Sequence, residues 1–185
     1  MNIQSIAIFC GAKKGSNKLY MHHAEQLGGI LAEQKISVIY GGGKMGLMGC
    51  IADNVLKKGG IVKGVIPKIL IDPEHQHDEL TELLVVEDMH QRKRKLYELC
   101  DAAIILPGGF GTLDEMFEII TWNQLTIHDK KIFVLNSGGF YDCLLQHLQK
   151  LEEEEFLFSE LKECITVLNE PGDIIRYLKN QSPIL

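Results

Sequence analysis

The feature that most constrains this chain is the regular alternation of short apolar runs with longer amphipathic stretches over its 185 residues. The short runs predict strands at 5–10, 37–40, 61–66, 83–86, 102–106, 132–135 and 165–168. The amphipathic stretches predict helices at 17–34, 46–58, 89–100, 113–124, 141–155 and 171–179. Because parallel strands need long crossovers that helices supply, the alternation predicts an α/β fold: a doubly wound parallel sheet with helices on both faces.

Composition and charge narrow the class of protein. With 45% hydrophobic and 24% charged residues, the chain is expected to form a single globular domain over 1–185. A net charge of −6 argues against broad binding to nucleic acid or to a membrane, because both partners favour basic proteins. The five cysteines include no C-x-x-C pair, and the N-terminus has neither a basic leader nor a membrane-spanning apolar run. We therefore expect a cytoplasmic protein with reduced thiols.

A nine-residue segment, PGGFGTLDE, ends at Glu115 and joins the fifth predicted strand to an amphipathic helix. Its glycines, Gly108, Gly109 and Gly111, let the backbone approach an anion, and the free amides of the helix N-terminus point at it. The segment therefore predicts a phosphate site. A carboxylate beside phosphate is electrostatically unfavourable, so Glu115 needs a reason. Two stay open: Thr112 and Glu115 fit the T-x-x-E pattern of a capping box, or Glu115 takes part in chemistry.

Four consecutive cations, Arg92 to Lys95, lie on the helix predicted before that strand. At about 100° per residue they spread over roughly 300° of the helix circumference, so they cannot share one solvent-exposed face. At least one is expected to point toward the C-terminal edge of the sheet, where open α/β folds bind ligands.

A second glycine-rich loop, GGGKMG at 41–46, follows the second predicted strand and matches G-x-G-x-x-G. Gly42, Gly43 and Gly46 are its binding candidates, and a tight strand-to-helix turn is the alternative. A dinucleotide site also needs an acidic residue at the end of the next strand, which here reads VIPK. No G-K-[ST] follows for a Walker loop. Two such loops without that acid suggest a mononucleotide or sugar phosphate.

Taken together, these motifs resemble the Lonely Guy family of cytokinin riboside 5′-monophosphate phosphoribohydrolases. The resemblance runs from about residue 3 to 170 and is carried by FCG, YGGG with GLMG, GVIPK, MHQRK, PGGFGTLDE, ITWNQL and IHDK. It implies a Rossmann-like fold, no cofactor and no required metal. The implied activity is an N-glycosidase that cleaves the bond between an adenine-type base and ribose 5-phosphate. Members are often labelled lysine decarboxylases, but no Schiff-base lysine is recognisable here.

The resemblance also implies roles for individual residues. Arg92 and Glu115 match the catalytic arginine and glutamate of the family. The positions that match substrate contacts are Glu74, Lys93, Gly109 to Thr112, and Thr121. A homodimer or larger even assembly is implied as well. One departure, Ala12-Lys13-Lys14 in place of a serine-rich stretch, leaves the substrate preference open.

These residue types suit the implied reaction. Cleavage of a ribosyl C–N bond develops oxocarbenium character, which a carboxylate such as Glu115 stabilises while it orients or deprotonates the attacking water. Arg92 would hold Glu115 ionised and clamp phosphate or ribose oxygens through its planar fork of donors. The acid that protonates the leaving base stays open among Glu74, Asp114 and bulk water.

Two alternatives are kept from the same residues. One is a nucleotide or cofactor carrier module of this fold, similar to molybdenum-cofactor carrier proteins, that hydrolyses nothing. The other is a broader nucleosidase that acts mainly on AMP.

Overall fold

A computed structural model describes residues 3–71 and 76–178 of the chain. Within these residues the strands are β1 Ser5–Phe9, β2 Ser37–Tyr40, β3 Val62–Pro67, β4 Glu82–Val86, β5 Ala102–Ile105, β6 Lys131–Leu135 and β7 Thr166–Leu168. The α-helices are α1 Lys18–Glu33, α2 Gly46–Lys57, α3 Met89–Leu99, α4 Phe110–Gln124, α5 Asp142–Glu153, α6 Leu161–Cys164 and α7 Ile175–Leu178. Short 3₁₀ turns occupy Lys68–Leu70, Ser137–Gly139 and Pro171–Ile174.

The seven strands form one parallel sheet in the order β4-β3-β2-β1-β5-β6-β7. Successive side chains of a strand point to opposite faces, so β1 buries Ile6 and Ile8 on one face and Ala7 and Phe9 on the other. Helices α1 and α2 cover the first face, and α3, α4 and α5 cover the second. The prediction of a doubly wound parallel sheet with helices on both faces is confirmed.

The strand order places a crevice between β1 and β5. From β1 the chain adds strands outward to β4, and it then returns to the other side of β1 to add β5, β6 and β7. The loops after β1 and β5 therefore lead to helices on opposite faces, and they leave an opening at the carboxyl ends of the strands. A bond from the Gly11 amide to the Pro107 carbonyl, 3.0 Å long, joins the two loops at its floor.

The sequence located all seven strands, and no strand end differs from its predicted position by more than one residue. Helix α4 is the informative exception, since it begins at Phe110 rather than near residue 113. Gly109 takes the N-cap position in extended conformation, so the helix starts directly after it and includes Gly111 in its first turn. Helix α6 was not predicted, because its four residues are too few to show helical periodicity.

No helix in the described part of the chain combines the length and the apolar character that crossing a bilayer requires.

Candidate active site at the switch point of the sheet

A cavity of about 430 Å³ opens at the crevice between β1 and β5. Its lining comes from the loop after β1, the starts of α1 and α2, one residue of α3, the loop after β5 with the first turns of α4, and the loop after β6. The lining residues are Cys10–Gly15, Tyr20, Leu47, Met48, Arg92, Pro107–Gly109, Gly111, Thr112, Glu115 and Phe140.

The PGGFGT loop forms one wall of the cavity, and its role as a phosphate site stays a prediction. Gly109 and Gly111 have open space where a side chain would be, whereas Gly108 packs directly against Thr112. The 15-residue helix α4 begins at Phe110, so its free N-terminal amides lie at the cavity. Such a helix end carries partial positive charge and favours phosphate.

Glu115 follows on the second turn of α4 and lines the same cavity. Burial raises the pKa of this carboxyl from 4.5 to about 7; the charges of Arg92 and Lys93 lower it, and those of Asp114 and Glu118 raise it. Arg92 thus favours the ionised form of Glu115, as expected, but burial outweighs the arginine and keeps the pKa above its ordinary value. A carboxyl group that titrates near neutrality is suited to general acid–base chemistry.

The capping-box interpretation of Thr112 and Glu115 is wrong. Gly109 is the N-cap, and no side chain caps the helix there. Thr112 lies inside the helix, buried at 4% exposure, so it cannot serve as the N-cap that the T-x-x-E pattern requires. Glu115 thus keeps no structural role in helix capping.

Arg92 points toward the C-terminal edge of the sheet, as the four consecutive cations predicted. Its Nε donates to the Val65 carbonyl at 3.2 Å, and its Nη2 donates to the Gly41 carbonyl at 3.4 Å. Gly41 permits this approach because a Cβ at that position would lie 2.0 Å from Nη2. The carbonyl of Val65 within β3 and that of Gly41 directly after β2 therefore orient the guanidinium, and Arg92 still lines the cavity.

Lys93, the neighbour of Arg92, lies outside the cavity lining. Its ammonium group pairs with Asp114 at 3.2 Å and with Glu118 at 3.1 Å, and its side chain is only 14% exposed. Burial lowers the pKa of Lys93, but the bonds to Glu118 and Asp114 outweigh that effect and raise it overall. The buried Tyr97 hydroxyl donates to Glu118 at 2.8 Å, which completes a network between α3 and α4.

The second glycine loop packs against the protein itself. Gly46, with φ of +63°, lies so close to the loop after β1 that a Cβ would approach the Ala12 carbonyl oxygen to 2.5 Å. Gly43 forms a bridge with Gln76, and the Gly42 carbonyl accepts from the His77 amide at 2.9 Å. Gly46 therefore supports the loop after β1 from behind, and none of Gly42, Gly43 and Gly46 is among the residues that line the cavity.

The remaining sequence candidates lie elsewhere. Thr121 is exposed on α4, outside the cavity lining, and its hydroxyl donates to the Phe117 carbonyl at 2.7 Å. Glu74 lies outside the described residues. The substrate-contacting roles of these residues, and of Lys93 and the second glycine loop, stay predictions.

Sequence reasoning missed the apolar part of the lining. Leu47 and Met48 lie in the GLMG segment, but no binding role was predicted for them, and Tyr20 and Phe140 belong to no recognised motif. Of these residues, Phe140 could have been identified from its position, since it closely follows the end of β6 at the edge where open α/β sheets bind ligands. In the described ranges, no group of three or more His, Cys, Asp or Glu residues is placed to hold a metal ion.

Fold and site together define a Rossmann-like protein whose cavity, at the carboxyl ends of β1 and β5, contains an arginine and a carboxyl group with a pKa of about 7. A family model described as "possible lysine decarboxylase" matches residues 48–178. A probable cytokinin riboside 5′-monophosphate phosphoribohydrolase of Oryza sativa subsp. japonica is 42% identical over 178 residues, 96% of this chain and 71% of the relative. A cytokinin riboside 5′-monophosphate phosphoribohydrolase of Arabidopsis thaliana is 40% identical over 178 residues, 96% of this chain and 83% of the relative. The chain belongs to this family, the Lonely Guy family.

Solved structures support the fold independently. The molybdenum cofactor binding protein of Rippkaea orientalis superimposes with a TM-score of 0.72 at 20% identity, over 97% of this chain and 98% of that chain. At this identity the likeness concerns the fold alone.

The word decarboxylase in the family description implies a pyridoxal cofactor on a lysine. The residues at the cavity do not fit that group. Lys13 and Lys14 lie on an exposed loop, and Lys93 is engaged with two carboxylates outside the lining. A Schiff-base lysine needs a protected position from which its amine can act as a nucleophile.

Proposed function

We propose that this protein hydrolyses the N-glycosidic bond of a purine riboside 5′-monophosphate and releases the free base and ribose 5-phosphate. The observation that carries the proposal is the position of Glu115, whose carboxyl group has a pKa of about 7 in the same cavity as Arg92 and the α4 N-terminus. The names of relatives that are 40–42% identical support this activity.

The geometry suggests how the residues divide the work. The amides of the PGGFGT loop and of the α4 N-terminus bind the 5′-phosphate, which fixes the nucleotide in the crevice. Ionised Glu115 then faces the ribose, where it stabilises positive charge at the anomeric carbon and accepts a proton from the attacking water. Arg92, held by two carbonyl groups, supplies positive charge to phosphate or ribose oxygens.

The structure argues against one of the three candidate proton donors for the leaving base, which were Glu74, Asp114 and bulk water. Asp114 pairs with Lys93 and does not line the cavity, so it is not positioned as the acid. We assign the proton to solvent or to Glu74, which lies outside the described residues.

A product assay tests the proposal. Purified protein is incubated with AMP, GMP, CMP and N6-isopentenyladenosine monophosphate, and free base and ribose 5-phosphate are quantified. We expect release from a purine monophosphate and almost none from adenosine, because the riboside lacks the group that the helix N-terminus binds. Equal turnover of adenosine and AMP would contradict the phosphate anchor. Tight binding of nucleotide without base release would favour the carrier alternative, and a preference for plain AMP would favour a general AMP nucleosidase.

We also propose that the protein is a homodimer, or a larger even assembly, that associates through α4. Phe110 and Phe117 on this helix and Leu125 at its C-cap are exposed apolar side chains, and Phe110 is 94% exposed. Thr121 lies in the same segment, so its predicted substrate contact would be made from a subunit interface. Light scattering should give twice the mass of one 20.8 kDa chain or an even multiple of it. A fully active monomer would refute this assembly.

Single-domain organisation over 1–185 and a cytoplasmic location complete the proposal. Both hydrophobic core clusters pack on the same seven-stranded sheet, which supports one folding unit. Limited proteolysis that yields two separately stable fragments would argue against a single domain, and fractionation of cells that express the protein would test its location.

A further inference from the structure

The backbone that orients Arg92 is itself held by two neighbours. The Gly41 carbonyl accepts from the guanidinium, and Gly42, with φ of +81°, follows it in the second glycine loop. The first neighbour is β3, which packs so closely on this loop that a Cβ on Gly64 would lie 2.9 Å from the Gly42 Cα. Pairing with β2 and β4 fixes β3 within the sheet.

The second neighbour is the segment 76–79, which precedes β4. Gln76 pairs with Gly43 in an antiparallel bridge, and the His77 amide donates to the Gly42 carbonyl at 2.9 Å. The segment belongs to none of the helices and strands, so no regular hydrogen-bond ladder fixes it. The position of the glycine loop therefore also depends on what holds this segment.

The side chain of His77 holds the segment. It is buried, and its Nδ1 accepts from the Glu79 amide at 3.2 Å. Its Nε2 therefore carries the proton, which it donates to the Asp53 carboxylate of α2 at 3.0 Å. An imidazole ring that bonds at both nitrogens has a defined orientation and tautomer. His77 thus ties the segment to α2.

These contacts form a chain that ends at the cavity. Asp53 bonds to the His77 ring, and the His77 backbone bonds to Gly42. The adjacent Gly41 carbonyl bonds to Arg92, which lines the cavity. Asp53, His77 and Gly42 are not among the lining residues, so their effect on the site passes through other residues.

We infer that His77 is a positioning residue, which fixes the Arg92 guanidinium in the cavity through the backbone of the second glycine loop. Asp53 acts with His77 by orienting its ring. The inference rests on the proposed function for the reaction that Arg92 serves. The direction of the guanidinium matters to that reaction, because a misplacement of about 1 Å can cost roughly 10²-fold in rate.

Asp53 offers the test, because its side chain is 51% exposed on α2 and its replacement leaves the core intact. Asp53→Ala removes the acceptor, whereas Asp53→Asn keeps an oxygen that accepts from the His77 ring. We expect Asp53→Ala to lower kcat/KM for a purine riboside monophosphate roughly fivefold or more, and Asp53→Asn to lower it less than about twofold.

The matched control is Glu82→Ala. Glu82 is also half-exposed and pairs with Lys63 at 2.8 Å, but it begins β4 and so lies at the opposite end of the sheet from the cavity. This substitution removes a carboxylate with a cationic partner and should leave kcat/KM unchanged.

Two further measurements separate positioning from a general loss of structure. In the Arg92→Lys background, Asp53→Ala should cost less than about twofold, because the guanidinium that it positions is already absent. Carbon-13 NMR of the Glu115 carboxyl group should show its titration midpoint at higher pH in Asp53→Ala. Burial raises the pKa of Glu115, and a displaced Arg92 offsets less of that effect. The other charges that act on this pKa belong to α3 and α4 and should stay in place: Asp114, Lys93 and Glu118.

The outcomes distinguish this inference from the hydrolase proposal. Full additivity of Asp53→Ala with Arg92→Lys, or an unchanged Glu115 titration, would overturn the positioning role. Equal losses in Asp53→Ala and Asp53→Asn would overturn it as well, because asparagine keeps the acceptor for the ring. If the wild type releases no base and Asp53→Ala still displaces the Glu115 titration, the hydrolase proposal fails and the positioning role is supported.

Discussion

Replacement of Glu115 by glutamine separates two effects of a carboxyl group in this cavity: the effect of its ionisation on stability and its effect on the reaction rate. Glutamine has the same size and remains neutral, so it retains the packing of protonated glutamate and removes only the charge. Since Thr112 and Glu115 form no capping box, the substitution leaves the α4 N-terminus unchanged. Any change in stability should therefore come from the ionisation of Glu115.

The expected magnitude follows from the shift in pKa. Burial raises the pKa of Glu115 from 4.5 to about 7, so the folded protein favours the protonated form. The contribution of protonated Glu115 to the free energy of unfolding is fully present below pH 4.5 and is lost as the pH rises through about 7. The shift in pKa corresponds to a loss of at most about 3 kcal/mol in the free energy of unfolding at pH 8. Because the side chain borders a cavity open to water, we expect about 1–2 kcal/mol.

The assay is chemical denaturation of both proteins from pH 4.5 to pH 8, combined with initial rates. Glu115→Gln should match the wild type at the acid end and exceed its free energy of unfolding by about 1–2 kcal/mol at pH 8. Its kcat should fall roughly 10²-fold or more, because an amide accepts no proton from water. The wild-type kcat/KM should lose activity as the pH falls below about 7, where Glu115 becomes protonated.

Glu115→Ala serves as the comparison, since it removes the charge and also the packing of the side chain. It should share the kinetic defect and be less stable than Glu115→Gln at every pH. A glutamine variant whose stability runs parallel to the wild type across the pH range would refute the raised pKa. A variant that retains its turnover would remove Glu115 from the mechanism.

Three further predictions concern the surroundings of this carboxylate. Arg92→Lys should reduce kcat/KM by roughly 10²-fold or more, because lysine lacks the fork of donors that bonds two carbonyl groups. Arg94→Lys, at an exposed position, is the control and should have a mild effect. Equal losses in the two variants would indicate that the cations act only as diffuse charge. Gly41→Ala should displace the guanidinium and reduce kcat/KM to a similar extent, whereas Gly172→Ala, which has open space, should retain normal rates. Glu118→Gln should move the acid limb of the pH–rate profile to lower pH by removing a neighbouring negative charge; an unchanged limb would contradict that coupling.

The fold could be predicted from the sequence because its signal is local and repeated. Each strand is a short apolar run, and each long helix shows its own periodicity, so β1 to β7 were located without knowledge of their partners. The start of α4 could not be predicted as well. The T-x-x-E pattern favoured Thr112 as the N-cap and a helix from residue 113, but Gly109 is the N-cap and the helix begins at Phe110.

The site was only partly predictable, since side-chain direction depends on tertiary packing. Motifs identified Arg92 and Glu115, and the structure places both in one cavity. The motifs could not show that Lys93, unlike Arg92, lies outside the cavity, because the two acidic partners of Lys93 lie 21 and 25 positions away on α4. Phe140 was missed for a related reason, since a lone aromatic residue gives no motif until the loop that carries it is folded.

The arrangement of α3 and α4 explains how neighbouring charges come to serve different purposes. Consecutive helical residues point about 100° apart, so Arg92 and Lys93 face different surroundings, as do Asp114 and Glu115. One member of each pair, Arg92 and Glu115, reaches the cavity, and the other members bond to each other between the helices. That outer ion pair fixes the two helices where the cavity residues need a defined separation. We therefore expect Lys93 and Asp114 to act as positioning residues, through the ion pair that joins the two helices beside the cavity.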